Sequence, residues 1–264
     1  MIPYIFVFDI DRTIIGDVSY CTSERYLNSI SRNKSKIKNK NIEDYSNDLQ
    51  NGLLRPYFID FINFCKKKYK PCIFYINTKS TTKWAHTIIK NIEKVCKIKF
   101  SKPIFTREDT ILSEKSLKSL VDLLSIKYNS TNEIISNKLI FIDDLPSNTN
   151  TYKERQIKCP SYNCLIYRDI YNNLLDKYGI DIMNNHIIEE EFIRYDIPYF
   201  NEKSNNPICK NKEYYELNKI LQIKRTEIIN AECKDDDFFK ILQEKLKDLS
   251  NKNIKNINDF FNKK

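Results

Sequence analysis

The stretch that decides the fold is Tyr4-Ile5-Phe6-Val7-Phe8, which Asp9-Ile10-Asp11 follows at once. All five residues of the first stretch are aromatic or β-branched, the pattern of a strand that is buried on both faces of a sheet. Such strands are typical of parallel sheets, whereas a strand with one solvated face alternates apolar and polar residues. The stretch therefore predicts a central strand of a parallel sheet, with two carboxylates directly beyond its end.

Similar apolar runs recur along the chain, separated by segments with helical spacing. Three runs, at Cys72–Ile76, 139–142 and 164–167, read as strands, and residues 98–100 are a poorer candidate. In residues 57–69 and 81–95 the apolar positions fall on one face of a helix. Alternating strands and helices predict an α/β fold, a doubly wound parallel sheet with helices on both faces. In such sheets ligands bind beyond the carboxyl ends of the strands.

The composition narrows the class of protein. Of the 264 residues 41% are hydrophobic and 12% aromatic, which is enough apolar surface for a sizeable core. Only three glycines occur, which argues against glycine-rich phosphate loops and dinucleotide-binding fingerprints. The eight cysteines lack the paired short spacings of a zinc site. Without a recognisable signal peptide or membrane-spanning stretch, we expect reduced thiols, an intracellular location in cytoplasm or nucleus, and no membrane partner.

The positive charge is concentrated in the N-terminal part of the chain. Residues 1–150 carry 24 basic and 16 acidic side chains, a balance of +8, whereas residues 151–264 carry 20 and 19, a balance of +1. This asymmetry predicts a phosphorylated or polyanionic partner, nucleic acid included, with a solvated basic surface as the alternative. Five basic residues occupy every second position of one polar stretch: Arg32, Lys34, Lys36, Lys38 and Lys40. They form either a phosphate-attracting edge or a solvated loop.

Two regions interrupt the alternation of strands and helices. We expect a main α/β domain at residues 1–178 that contains a small insertion at residues 17–54. After about residue 180 the strand pattern fades, and amphipathic helices are indicated at 213–231, 236–249 and 256–261. Residues 179–264 are therefore predicted to be an accessory helical region that serves packing or partner binding.

Two pairs of carboxylates follow predicted strands. Asp9 can attack phosphorus to form an aspartyl-phosphate, while Asp11, on the same side of an extended backbone, protonates the leaving oxygen and later activates water. The alternative for this pair is a strand-end turn that caps a helix. Asp143 and Asp144 follow the run at 139–142, where carboxylates are costly unless they meet a cation such as Mg²⁺. Solvated loop acids are the alternative.

Two further side chains complete the predicted site. Thr78 lies two residues beyond Ile76, where a hydroxyl can bind a phosphoryl oxygen without adding charge, although helix capping is the alternative. Lys115 can neutralise the nucleophile and the phosphoryl group, with Lys118 as a competing candidate. The order Asp-x-Asp-x-Thr, Thr, Lys and Asp-Asp, with three of the four groups at predicted strand ends, is more specific than any one group. It predicts a site for phosphoryl transfer.

These residues resemble the haloacid dehalogenase superfamily of phosphatases. More narrowly, they are similar to phosphatases that act on the C-terminal domain of RNA polymerase II and to the related NLI-interacting-factor-like proteins. The resemblance covers residues 4 to 148 and is carried by Arg55-Pro56, residues 78–85, Arg107-Glu108, Lys115-Ser116-Leu117 and Asp143-Asp144-Leu145-Pro146. Three departures concern the substrate: Arg12 replaces the usual Glu, Ser116 replaces the usual Asp, and the stretch before Lys115 is shorter than in the family. Asp144 stands where the family often has Asn, and the resemblance implies that it holds a metal-bound water.

The resemblance implies a magnesium-dependent phosphatase of haloacid dehalogenase-like fold. It implies Asp9 as nucleophile, Asp11 as general acid and base, and Thr78 and Lys115 as phosphate-binding groups. The implied metal site comprises Asp9, Asp11, Asp143 and Asp144. The expected substrate is phosphoserine or phosphothreonine of a protein such as an RNA polymerase tail. A nucleic-acid end phosphatase and a catalytically inert interaction module of the same fold are the alternatives.

Overall fold

The computed structural model describes residues 1–16, 44–109, 115–145, 149, 151–164, 223 and 227–249. The chain divides into two compact units. The first comprises Met1–Gly16, Tyr45–Cys164 and Cys233–Lys264, and the second comprises Asp17–Asp44 and Leu165–Glu232. The first unit contains every residue predicted for the site. Of the second unit the structure describes residues 44, 223 and 227–232, and the last of these ranges is helical.

The first unit is built on a parallel sheet of four strands in the order β2-β1-β3-β4. The strands are β1 (Tyr4–Phe8), β2 (Cys72–Ile76), β3 (Leu139–Asp143) and β4 (Gln156–Lys158). Phe8 at the end of β1 lies opposite Ile76 of β2 and Ile142 of β3. Because these three strands end within one residue of each other, the residues that follow them meet at one edge of the sheet.

Six α-helices with defined bounds accompany these strands in the described residues of the first unit. They are α1 (Ser46–Asp48), α2 (Phe58–Lys68), α3 (Thr82–Cys96), α4 (Lys118–Tyr128), α5 (Asn132–Ser136) and α6 (Phe238–Leu249). The predictions at 57–69, 81–95 and 236–249 are confirmed by α2, α3 and α6. Helix α3 begins after Thr81, whose side chain accepts a hydrogen bond from the amide of Trp84, and ends at Lys97 in the left-handed region. None of the described helices is long and apolar enough to cross a membrane.

Helices cover both faces of the sheet. On one face Ile5 and Val7 of β1 pack in a core with residues of α4 and α5, among them Leu124. On the other face the ring of Phe8 lies 5.5 Å from that of Phe58 in α2, edge to face. Alternate residues of one buried strand thus serve two cores, as the period of a strand requires. The predicted α/β class with a doubly wound parallel sheet is confirmed.

Helix α6 packs on α2 within the first unit. Phe239 is fully buried, and its ring lies 5.2 Å from the rings of both Phe58 and Phe61. The hydroxyl of Tyr69 donates to the carbonyl oxygen of Leu246 at 2.5 Å. The described C-terminal helix therefore belongs to the same core as the sheet.

The prediction of a strand at residues 98–100 is wrong. The carboxylate of Glu93 accepts the amide of Phe100 at 2.8 Å, and the Glu93 carbonyl accepts that of Ile98 at 3.3 Å. These amides are therefore taken by the end of α3 and form no ladder with β2. Pro103, which has no N–H to donate, interrupts the segment further. Backbone contact with β2 comes only after residue 100: the amide of Ser101 donates to the carbonyl of Phe74 at 2.7 Å, and that of Phe105 to the carbonyl of Ile76 at 3.0 Å.

Several predictions fall outside the described residues. These are the basic positions 32 to 40, the strand residues 165–167, most of the helix at 213–231, the helix at 256–261, and the domain boundary at residues 178 and 179. The division into residues 1–178 and 179–264 stays a prediction.

Truncation of Phe239 to alanine should cost about 3–5 kcal/mol of unfolding free energy, because it leaves a cavity between α6 and α2. The matched control is Ile241→Ala on the same helix, whose side chain is 46% exposed and whose loss should cost no more than about 0.5 kcal/mol. Urea unfolding followed by circular dichroism measures both. Equal effects of the two substitutions would show that α6 does not belong to the core.

Candidate active site

The turn after β1 carries the first two carboxylates. Asp9 donates its amide to the carbonyl of Ile142 at 3.0 Å, which joins it to β3. The amides of Thr13, Ile14 and Ile15 then all point to the carbonyl oxygen of Ile10, at 2.9–3.2 Å. Arg12 makes this tight turn with φ of 59°, in a region that few residues other than glycine adopt. The turn keeps Asp9 and Asp11 at the carboxyl end of β1.

Lys115 is the cation of the site. Its side chain is fully buried, and its Nζ lies 2.8 Å from Asp9 Oδ1 and 2.7 Å from Asp143 Oδ2. Lys118, the competing candidate, lies on the surface, where its Nζ is 2.5 Å from a carboxylate oxygen of Asp122. The geometry thus places Lys115, and not Lys118, between the two strand-end carboxylates.

Three carboxylates form an acidic group at the ends of β1 and β3. One oxygen each of Asp9, Asp143 and Asp144 lies within 4.8 Å of the others. Asp143 Oδ1 accepts the amide of Leu145 at 2.8 Å, and Asp144 accepts the hydroxyl of Ser161 at 3.0 Å. Asp9 Oδ1 is buried and accepts no hydrogen bond of good geometry from the described residues, despite its ion pair with Lys115. Hard, incompletely paired oxygens of this kind fit a magnesium ion.

The electrostatics of the group show a deficit of positive charge. Burial raises the pKa of Asp9 to about 7; the ammonium of Lys115 acts against this, and the carboxylate of Asp143 adds to it. Burial also raises the pKa of Asp144. Burial alone would lower the pKa of Lys115, but the carboxylates of Asp9 and Asp143 outweigh it and raise the value. Among the described residues one ammonium therefore faces three carboxylates, and a further cation would offset their negative charge.

The side chain of Asp11 does not belong to this acidic group. Its Oδ1 accepts the indole N–H of Trp84 at 3.2 Å, and its Oδ2 accepts the hydroxyl of Ser80. Both donors lie at the start of α3. The carboxylate that was predicted as a fourth metal ligand is thus engaged by the helix, and that metal role stays a prediction.

Thr78 lies just beyond β2 and is buried. Its amide donates to the carbonyl of Phe105 at 2.9 Å, and its hydroxyl accepts the amide of Ser80 at 3.2 Å. The cap of α3 is Thr81, so helix capping does not account for Thr78. Since β1 and β2 end level, Thr78 lies at the same edge of the sheet as Asp9.

Sequence reasoning missed four side chains that contact the predicted site residues: Thr13, Ser80, Trp84 and Ser161. Thr13 is part of the quoted motif, and its Oγ1 accepts the amide of Asp144 at 3.2 Å. Ser80 and Trp84 lie in the stretch that resembles the phosphatase family, which was the available signal. Ser161 lies in a segment without any pattern, and nothing in the sequence indicated it.

Sheet, strand-end carboxylates and buried lysine together define an α/β protein with an acidic site at the carboxyl ends of its strands. Residues 4–186 match the model of the family described as NLI interacting factor-like phosphatase. The match spans more than half of the chain, and the chain belongs to this family. The prediction of a haloacid dehalogenase-like protein from this family is confirmed.

Two solved structures are similar to the chain. One is the fission yeast RNA polymerase II CTD phosphatase Fcp1 bound to beryllium fluoride, at 18% identity and a TM-score of 0.48, with 94% of this chain and 62% of that chain covered. The other is described as Fcp1, an essential RNA polymerase II CTD phosphatase, at 17% identity and a TM-score of 0.39, with coverages of 98% and 69%. This chain thus spans less than two thirds of the first one's length, and neither likeness carries an argument below. A comparison with curated proteins gave no match.

Replacement of Lys115 by methionine should destabilise the protein by about 3–5 kcal/mol in the presence of a chelator, because it leaves Asp9 and Asp143 buried without a counter-charge. Lys118→Met is the matched control and should leave the unfolding midpoint unchanged, since its ion pair with Asp122 is exposed. Guanidinium unfolding of both variants measures the difference. A Lys115 variant as stable as the Lys118 variant would contradict the buried ion cluster.

Proposed function

We propose that this chain is a phosphatase that hydrolyses phosphomonoesters through an aspartyl-phosphate on Asp9. The observation that carries the proposal is the buried group of Asp9, Asp143 and Asp144 that Lys115 joins at the carboxyl ends of β1 and β3. Membership of a family described as phosphatases supports the same reaction. An inert module of this fold would have no use for carboxylates that are costly to bury.

In the first step Asp9 attacks the phosphorus atom. A bond forms between its carboxylate oxygen and phosphorus, while the bond from phosphorus to the substrate oxygen breaks. Asp11 gives its proton to the departing oxygen. The ammonium of Lys115, 2.8 Å from Asp9, offsets the negative charge that the phosphoryl group brings. We assign the hydroxyl of Thr78 to binding a phosphoryl oxygen.

In the second step a water molecule attacks the phosphorus of the aspartyl-phosphate. Asp11, now ionised, takes a proton from that water, which restores its protonated form. The bond between phosphorus and the Asp9 oxygen breaks, and inorganic phosphate leaves. Asp9 and Asp11 thereby return to their starting states, so the cycle consumes only substrate and water.

Magnesium is the cofactor of this proposal. The carboxylates of Asp9, Asp143 and Asp144 would hold the ion, which when bound supplies positive charge to the phosphoryl oxygens. The donor set supports this assignment, since oxygen ligands of a few carboxylates are what Mg²⁺ prefers. Asp11, whose side chain is held by α3, is assigned to the proton, and its predicted metal role stays a prediction.

Release of phosphate from an aryl phosphate should require both magnesium and the two aspartates. Asp9→Asn should abolish turnover because the amide is no nucleophile, and Asp11→Asn should lower it by about 10²–10⁴-fold because proton transfer is lost. A chelator should abolish the activity of the unmodified protein. Phosphate release measured with and without Mg²⁺ gives each value.

The control for this experiment is Asp60→Asn on the exposed side of α2, which should keep full activity. Equal activity of the unmodified protein, Asp9→Asn and Asp11→Asn would contradict the mechanism. Activity that remains after complete chelation would contradict the magnesium assignment but not the roles of the two aspartates.

We further propose phosphoserine or phosphothreonine in a protein segment as the substrate. The excess of positive charge in residues 1–150 supports an anionic macromolecule. Between Thr78 and Asp143 no large lid domain is inserted: the described residues there include α3, α4 and α5, and only residues 110–114 lie outside the description. Charge-assisted hydrogen bonds would hold the phosphoryl group in the site. The rest of the polypeptide would then lie outside the site.

A phosphopeptide should be hydrolysed with a higher kcat/KM than an oligonucleotide that carries a 3′-phosphate. Both substrates are compared at low and moderate salt, with Asp9→Asn as the blank for contaminating activity. A higher kcat/KM for the oligonucleotide that falls steeply as salt increases would contradict this proposal and indicate a nucleic-acid end phosphatase. The salt dependence is expected because contacts to a phosphate backbone release counterions.

A further inference from the structure

Two donors from the start of α3 hold the carboxyl group of Asp11. The indole N–H of Trp84 donates to Oδ1 at 3.2 Å, and the hydroxyl of Ser80 donates to Oδ2. Each oxygen of one carboxylate thus has its own donor, and the two donors come from positions that flank the cap residue Thr81. Because both oxygens are engaged, rotation of the carboxyl group would break a hydrogen bond.

The indole that makes one of these bonds is itself held in place. Trp84 is 7% exposed, and its ring meets that of Tyr45 edge to face at 5.4 Å between centroids. Tyr45 in turn donates its amide to the side chain of Asn91 in the middle of α3, at 3.0 Å. The indole is therefore packed against a residue that is bound to its own helix.

The start of α3 is also anchored to the segment that follows α3 in the chain. The amide of Thr82 donates to a carboxylate oxygen of Glu108 at 3.0 Å, and its hydroxyl reaches the same oxygen at 2.8 Å. Arg107 Nε donates to the carbonyl of Lys79 at 2.8 Å. These contacts fix the backbone that presents Ser80 and Trp84, so Asp11 is oriented by a framework outside its own turn.

The two donors differ in a way that suits a residue that gives and takes a proton. An indole N–H only donates, so Oδ1 remains an acceptor throughout. A hydroxyl both donates and accepts, so Ser80 can face Oδ2 with or without a proton on it. Both bonds can therefore persist when Asp11 loses or gains a proton, so the carboxyl group keeps one orientation in both steps.

We propose that Trp84 and Ser80 are positioning residues that hold the carboxyl group of Asp11 for proton transfer to the leaving oxygen. This inference rests on the proposed function. Neither side chain needs to touch the substrate. Their contribution should therefore depend on how much the leaving oxygen needs a proton, and a merely structural role would show no such dependence.

The test compares a poor leaving group with a good one. Trp84→Phe removes the N–H and keeps an aromatic ring, and Ser80→Ala removes the hydroxyl. Each should lower kcat/KM for phenyl phosphate by about ten-fold or more, because phenolate leaves slowly without a proton. Each should change kcat/KM for 2,4-dinitrophenyl phosphate by no more than about two-fold, since that leaving group departs as the anion. Ser80→Thr, which restores a hydroxyl, should recover most of the loss.

The matched control is Thr87→Ala on the same helix, which removes a hydroxyl that donates to the carbonyl of Lys83 at 3.0 Å and removes no donor to Asp11. It should change the kcat/KM of both substrates by the same factor. Asp11→Asn gives the largest expected difference between the two substrates in the loss of kcat/KM. The double variant Ser80→Ala/Trp84→Phe should approach that difference. If Trp84→Phe does not fold, as judged by circular dichroism, Ser80→Ala still decides the question.

Failure of this inference is distinct from failure of the proposed function. Suppose that the effect of Asp11→Asn depends strongly on the leaving group. If Ser80→Ala and Trp84→Phe then lower kcat/KM equally for both substrates, or for neither, the positioning role is overturned. If Asp9→Asn retains the activity of the unmodified protein, the proposed function itself is overturned, and the positioning role falls with it.

Discussion

The ion cluster around Lys115 is the constraint on which the rest of the structure depends. Taking an ion out of water costs several kcal/mol, so Asp9, Asp143 and Lys115 are tolerable in the interior only together. They meet because β1 and β3 are neighbours that end within one residue of each other, and because the segment before α4 returns Lys115 to the same edge of the sheet. Strand register and charge compensation therefore require one another.

A second buried cation joins the C-terminal helix to the turn that carries the site. Arg55 is 1% exposed and forms two hydrogen bonds with the carboxylate of Asp236, both 2.8 Å long, just ahead of α6. A third bond reaches the carbonyl of Thr13 at 3.4 Å. Such a buried pair is weak evidence for net stability. It nevertheless determines where α6 lies relative to the turn after β1, because any displacement would leave a buried charge unpaired. The turn after β1 is thus held by α6 as well as by β3.

Most of the framework could be predicted because the relevant signals are local. Continuous apolar runs indicated β1, β2 and β3, and the carboxylates were identified because they follow two of those runs directly. Strand β4 was missed since Gln156–Lys158 is too short and too polar to show a pattern. The false strand at residues 98–100 has the opposite cause: its apolar pattern is real, with Ile98 and Phe100 both buried, but Glu93 takes their amides.

The sequence by itself determined the class of fold, the order of the chemical groups along the chain and the family. Those properties follow from residue types and their spacing, which need no knowledge of distant contacts. Only the tertiary structure decided between Lys115 and Lys118, and only it separated Asp11 from the acidic group. Both decisions depend on which way a side chain faces after helices α3 and α4 have docked on the sheet. Burial, and not residue type, turns one lysine into the counter-ion of the site and leaves the other on the surface.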